Sequence, residues 1–255
     1  MNIDYISDLH LDFYVEPEGN QEKYTAKTRD FLQKLLPETL AEVLVIAGDL
    51  SHFNQQSFDT LQFFSEYYKQ VFFVFGNHDY YLISKKQRRK YHETSSERET
   101  ELLEMIVSLP NVQVLQDFDV YTVNGVRFAG STSWYPLETF EQQTYFKQTS
   151  NDSVMIHGLK IEELHHQEMA MYEQMPEVDL LVTHIPPILL DSHRKYGSSA
   201  CYVNELKEIK ASICIFGHCH EQQVYEKAGI LFAINALGYP KEGLMGRIRT
   251  VSVGG

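Results

Sequence analysis

The sequence predicts an α/β fold in which two mixed β-sheets are flanked by helices. Three observations carry this expectation. Short runs rich in β-branched and aromatic residues recur along all 255 residues. Helical patterns separate them in the first half, and closely spaced runs that read as hairpins dominate the second.

Strand runs fall at residues 3–7, 43–47, 71–75 and 112–115. Residues 120–123 and 126–130 flank Asn124-Gly125, a strong hairpin turn. Further runs lie at 180–182, 213–216, 223–225 and 230–234, with a last candidate at 247–253. Between them, residues 28–36 place Phe31, Leu32, Leu35 and Leu36 on one stripe and stop at Pro37. Residues 58–68 repeat aromatics at helical spacing, as expected for packing on a sheet. Residues 97–109 end before Pro110, and 161–175 before Pro176. No repeat or Gly/Ser linker divides the chain, so one domain over 1–255 is expected. The stretches 80–110 and 131–160 read as lid or insertion loops, the second aromatic and polar without clear periodicity.

Composition bounds the function. Lys and Arg total 22 against 35 Asp and Glu, a net charge of −13, which weighs against broad nucleic-acid binding. Cys201, Cys214 and Cys219 form no framework and fit reduced, cytoplasmic chemistry. The chain enters its first strand at Asn2 without a leader pattern, and no apolar run approaches the roughly 18 residues of a membrane span. A cytoplasmic protein with no membrane partner is the expectation; oligomeric state is left open.

Five segments stand at the ends of predicted strands: Asp8-Leu9-His10, Gly48-Asp49, Gly76-Asn77-His78-Asp79, Thr183-His184 and Gly217-His218-Cys219-His220. Asp8 and His10 lie two apart, so on an extended chain both point to one side, as do His218 and His220. Glycines 48 and 76 permit unusual backbone angles and close approach. Such a set delivers carboxylates, an amide and imidazoles to one sheet edge, and a carboxylate can bridge two cations about 3.5–4 Å apart.

In type and order these blocks resemble those of the calcineurin-like metallophosphoesterases: D-x-H, G-D, G-N-H-[DE], an isolated H and G-H-x-H. The resemblance implies a four-layer αββα sandwich. It implies two divalent metal ions, the first held by Asp8, His10, Asp49 and His220. The second would take Asp49, Asn77, His184 and His218, with Asp49 bridging. Mixed nitrogen and oxygen donors suit Mn, Fe or Zn better than Mg. Implied too is hydrolysis of a phosphate-ester substrate, a phosphomonoester or phosphodiester, by direct attack of a hydroxide held between the metals. As a catalytic residue His78 would protonate the leaving oxygen or bind the transition state, with Asp79 orienting it and raising its pKa.

Other residues carry weaker expectations. His52, three after Asp49, and Arg194 are candidate substrate contacts, Arg194 as a phosphate clamp beside His193 and Tyr196. Cys219 should point away from the metals. The cluster Lys85, Lys86, Arg88, Arg89 and Lys90 reads as a solvated face. Asn151-Asp152 resembles a segment of some bacterial and phage relatives. Alternative functions are a nuclease or protein phosphatase of the same family, or a non-catalytic protein-binding module on this fold. Nucleic acid as substrate is not favoured, given the acidic charge.

Overall fold

A computed structural model describes residues 1–190, 201–244 and 246–254. The first sheet runs β11 (Arg249–Ser252), β1 (Asn2–Ile6), β2 (Val43–Ala47), β3 (Gln70–Val74) and β4 (Val112–Val114). The strands β1 to β4 are mutually parallel, and β11 closes one edge antiparallel. The second sheet runs β5 (Tyr121–Val123), β6 (Val126–Ser131), β7 (Val178–Thr183), β8 (Ala211–Phe216), β10 (Ile230–Asn235) and β9 (Gln222–Lys227). Its four inner strands are parallel, and β5 and β9 are antiparallel edges.

β2 reads Val-Leu-Val-Ile-Ala and is buried throughout, because a parallel strand in the middle of a sandwich is covered on both faces. Its alternate side chains therefore serve two cores. Val43, Val45 and Ala47 meet Phe128, Leu180, Val182 and Ile215 between the sheets. Leu44 and Ile46 join Leu32, Leu61, Phe64 and Leu102 under α1 (Gln21–Gln33), α2 (Asn54–Ser65) and α4 (Ser95–Ile106). On the far side Leu181, Cys214, Phe216 and Phe232 pack with Tyr172 and Met175 from α7 (Ile161–Gln174) and its end. The layers are αββα, as the resemblance implied. At Asn124-Gly125 both φ angles are positive (52° and 81°), the geometry that twists the β5–β6 hairpin correctly.

Three helical expectations need adjustment. α1 begins seven residues before residue 28, where the Asn20 side chain accepts from Lys23 N–H at 3.0 Å and caps it. α2 starts at Asn54 and stops at Ser65, offset from the expected 58–68. The 131–160 stretch contains α5 (Phe140–Thr149) and α6 (Asp152–Met155). α5 starts at a capping box of Thr139 and Gln142 and buries none of its residues, so it has no apolar stripe to read. α3 (Lys85–Lys90) likewise buries nothing, as a solvated basic face should.

Glu168 on α7 ties the end of β6 to this helix. Its carboxylate accepts from Ser131 Oγ, from Ser133 N–H at 3.1 Å and from Trp134 N–H at 2.6 Å. Burial pushes its pKa from 4.5 up to about 7 despite those donors. Across that window the native state holds more protons than the unfolded state, so stability falls as pH rises through it. Glu168→Gln is expected to be less stable at about pH 5 but to lose less on going to about pH 8. Thermal melts of both proteins at the two pH values check this; equal declines would contradict it.

Candidate metal centre

All five segments follow the carboxyl ends of parallel strands, where open α/β sheets place their ligand sites. Asp8 and His10 follow β1, Asp49 follows β2, Asn77 follows β3, His184 follows β7, and His218 and His220 follow β8. The expected extended geometry of the paired residues does not hold. Asp8 (φ 51°), His10 (40°), Asp49 (58°), His218 (71°) and His220 (46°) all occupy the left-handed region. Their side chains converge through successive kinks, and Asp and His are among the few types that tolerate them. Two glycines are required by contact. A Cβ on Gly76 would lie 2.2 Å from Asp49 Oδ1, and one on Gly48 would lie 2.4 Å from His184 Nδ1.

The seven expected ligands come together. Asp49 Oδ2 lies 3.6 Å from His10 Nε2 and 3.5 Å from His184 Nε2, so it stands between the two imidazoles. His220 Nε2 is 2.9 Å from His10 Nε2 and 3.7 Å from Asp8 Oδ1. Asn77 Oδ1 faces His184 Nε2 at 2.9 Å and His218 Nδ1 at 3.2 Å. Three trios offer ligand atoms all within 4.8 Å: Asp8, His10, His220; Asp8, Asp49, His184; and His10, Asp49, His78.

Outer partners orient the rings. His184 Nδ1–H donates to Ala47 O at 2.9 Å, His218 Nε2–H to Cys201 O at 3.0 Å, and His220 Nδ1–H to Glu242 at 2.8 Å. Each bond leaves the other ring nitrogen bare and aimed inward, the arrangement of metal-ligating histidines. Backbone N–H groups hold the acids, His218 N–H to Asp8 Oδ1 and His78 N–H to Asp49 Oδ1, both at 2.8 Å. Among the described residues no Lys or Arg bonds to either carboxylate, and His10 Nδ1 is buried without a partner. Burial drives His10, His78 and His184 below the ordinary imidazole range and His218 to about 4, keeping the rings neutral. Burial, with Asp79 and Asp8 beside it, pushes Asp49 well above the carboxylate range. Neutral imidazoles around uncompensated acids fit divalent cations, whose charge would hold the carboxylates ionised.

Asp79 does not orient His78. Its carboxylate accepts from Asp49 N–H (2.9 Å), Leu50 N–H (3.0 Å) and Gly76 N–H (2.8 Å), which consumes it in locking two loops of the cluster together. The partner of His78 Nδ1 is His52 Nε2 at 2.9 Å, and His52 Nδ1–H in turn donates to Asp12 at 2.7 Å. His52, expected as a substrate contact, thus stands behind His78. On the open side, Tyr239 stacks on His10 with ring centroids 4.6 Å apart, its hydroxyl 3.4 Å from His78 Nε2.

Residues 1–222 match the family described as calcineurin-like phosphoesterase. The chain belongs to that family. It is similar to an uncharacterized protein, L509, of Acanthamoeba polyphaga mimivirus, at 24% identity over 93% of this chain and 91% of the other. In fold it is similar to the phosphopantetheinyl hydrolase PptH of Mycobacterium tuberculosis, with a TM-score of 0.67 at 18% identity, covering 98% and 95% of the two chains.

In this calcineurin-like chain a cleft of about 650 Å³ opens beside the cluster, lined by Tyr145, Ser150, Tyr202, Tyr239, Glu221 and Glu242. Arg194, with His193 and Tyr196, lies outside the described residues. Cys219 Sγ turns to Gly217 O at 3.5 Å and packs beside the second-sheet core. The sequence reading missed Asp12, although it falls two residues after His10, and Tyr239 and Arg98, which stand in no motif. Arg98 is fully buried. It donates from Nε to Asn54 Oδ1 (3.0 Å), from Nη1 to His78 O (2.9 Å) and Tyr81 O (2.8 Å), and from Nη2 to Ser51 O (2.6 Å). One guanidinium therefore holds the Asp49 loop against the His78 turn. Arg98→Met strands these acceptors and is expected to cost about 3–5 kcal/mol. Urea unfolding measures it; a loss under about 1 kcal/mol would show that the loops do not depend on it.

Proposed function

We propose that this chain is a binuclear metal-dependent phosphoesterase that hydrolyses a phosphomonoester or phosphodiester. The observation that carries the reading is the position of Asp49, whose one carboxylate oxygen lies within 3.6 Å of imidazoles from two opposite groups of ligands. Asp8, His10, Asp49 and His220 would hold one cation. Asp49, Asn77, His184 and His218 would hold the other. The imidazole, carboxylate and amide donors favour Mn, Fe or Zn. When bound, such a pair activates water and stabilises charge on the phosphoryl oxygens.

The protein's own groups do the rest. Asp8 and Asp49 are held by backbone donors, so they need no reorganisation as charge develops. His78 has Nδ1 tied to His52, which leaves Nε2 toward the cleft; burial keeps this ring neutral on its own, and the negative charge of a bound ester would load Nε2 with the proton that it passes to the departing oxygen. His52 and Asp12 stabilise the protonated ring, as a buried carboxylate does through an intervening imidazole. Tyr239 stands where it can donate to a substrate oxygen. The helical 131–160 stretch overhangs the cleft as part of one metallophosphoesterase unit. The charge of −13 and the acidic Glu221 and Glu242 weigh against a polyanionic nucleic acid as substrate.

Protein loaded with Mn²⁺ is expected to hydrolyse p-nitrophenyl phosphate or bis-p-nitrophenyl phosphate, and to stop when the metal is chelated. His78→Asn is expected to retain its metal while turnover falls about 10²–10⁴-fold. Inertness of the metal-loaded protein toward both esters would overturn the proposed activity, and near-wild-type turnover by His78→Asn would overturn the role of His78.

A further inference from the structure

Asp152 lies one layer outside the cluster, on the overhanging stretch rather than on a sheet loop. Its carboxylate is buried, and among the described residues no Lys or Arg bonds to it. Three uncharged donors converge on it instead. Oδ1 accepts from Asn77 Nδ2 at 2.7 Å and from Tyr81 Oη at 2.5 Å, and Oδ2 accepts from Tyr135 Oη. Burying a carboxylate with no countercharge is costly, so the site must gain from what it does.

What it does follows from the chemistry of an amide. The two ends of Asn77 are similar in size and opposite in function, since only Oδ1 can ligate a cation. Asn77 alone has no preference between them. An ionised carboxylate only accepts, so it can face only the –NH₂ end, which turns Oδ1 toward His184 and His218. Tyr81 and Tyr135 hold that carboxylate still, and Tyr81 Oη, its own proton committed to Asp152, also accepts from Asn77 Nδ2 at 3.2 Å. We propose that Asp152 is a positioning residue of the metal centre, fixing the amide of Asn77 with its oxygen toward the second cation. This rests on the binuclear reading above and adds to it that the 131–160 stretch completes the metal site instead of merely covering it.

The rival role for Asp152 is to anchor that stretch mechanically, and the test separates the two. Mn²⁺ binding is titrated by electron paramagnetic resonance for wild type, Asp152→Asn, Asn77→Asp, the double variant and Tyr135→Phe. Wild type is expected to bind two ions. Asp152→Asn should keep the first and weaken the second by about 10–100-fold. Asn77→Asp should also lose the second ion, because two carboxylates then meet where a hydrogen bond stood. The double variant reverses the bond, with the amide of Asn at 152 donating to the acid at 77, and should recover most of the affinity. Tyr135→Phe removes an anchor but leaves the Asn77 bond, and should bind two ions nearly as wild type does. Asp152→Ala is read in parallel, with the same expectation as Asp152→Asn, in case the latter does not fold. Second-site affinity within about threefold of wild type in the Asp152 variants overturns the proposal. So do single losses that simply add in the double variant, or a loss in Tyr135→Phe as large as in Asp152→Asn. Wild type that binds fewer than two ions overturns the binuclear reading itself, and the role of Asp152 falls with it.

Discussion

Two carboxylates, Asp8 and Asp49, are buried side by side with no bonded lysine or arginine among the described residues, and the site is organised around that burden. Like charges at close range out of water are tolerated only with compensation. Backbone N–H groups from His218 and His78 supply part of it, and four imidazoles ring the acids, those of His10, His184 and His218 kept neutral by burial. What the described residues of the cluster lack is positive charge, and two cations would supply it. The same constraint explains the glycines, because any Cβ at Gly76 would push into the Asp49 carboxylate.

Holding the acids there has a conformational cost. Five of the seven expected ligands sit in the left-handed region, where a non-glycine residue is strained by about 1–3 kcal/mol. Such strain persists only if the surroundings over-determine it. They do so through buried polar clamps. Asp79 gathers three amides from two loops, Arg98 spans four acceptors, and beneath them β2 is buried throughout and β3 from Val71 to Val74. Stability and site geometry are therefore the same interactions seen twice.

The candidate ligands were legible because metal chemistry restricts residue type, and parallel strands restrict where such residues fall. Asp8, Asp49, Asn77, His184 and His218 each follow a hydrophobic run that reads as a strand without any structure. The two-sheet sandwich was legible from the same runs. What could not be read was the support. Asp79 is next to His78 in sequence, which invited a pairing, but its acid turns back to the Asp49 loop. His52 and Asp12 meet across different loops, and Arg98 lies on a helix whose pattern records only its apolar face. α5 was invisible because it fully buries no residue and only Tyr145 and Phe146 lean on the core. Asp152 drew notice only through a likeness of sequence, and its bond to Asn77 spans 75 positions. Partners at that separation leave no local periodicity.

The central claim is that Asp49 stands between two cations. Crystals grown with Mn²⁺ and measured on both sides of the manganese absorption edge test it most directly. The account predicts two anomalous peaks flanking the Asp49 carboxylate, one toward His10 and His220 and the other toward Asn77, His184 and His218. A single peak, or peaks that leave Asp49 unligated, would contradict it.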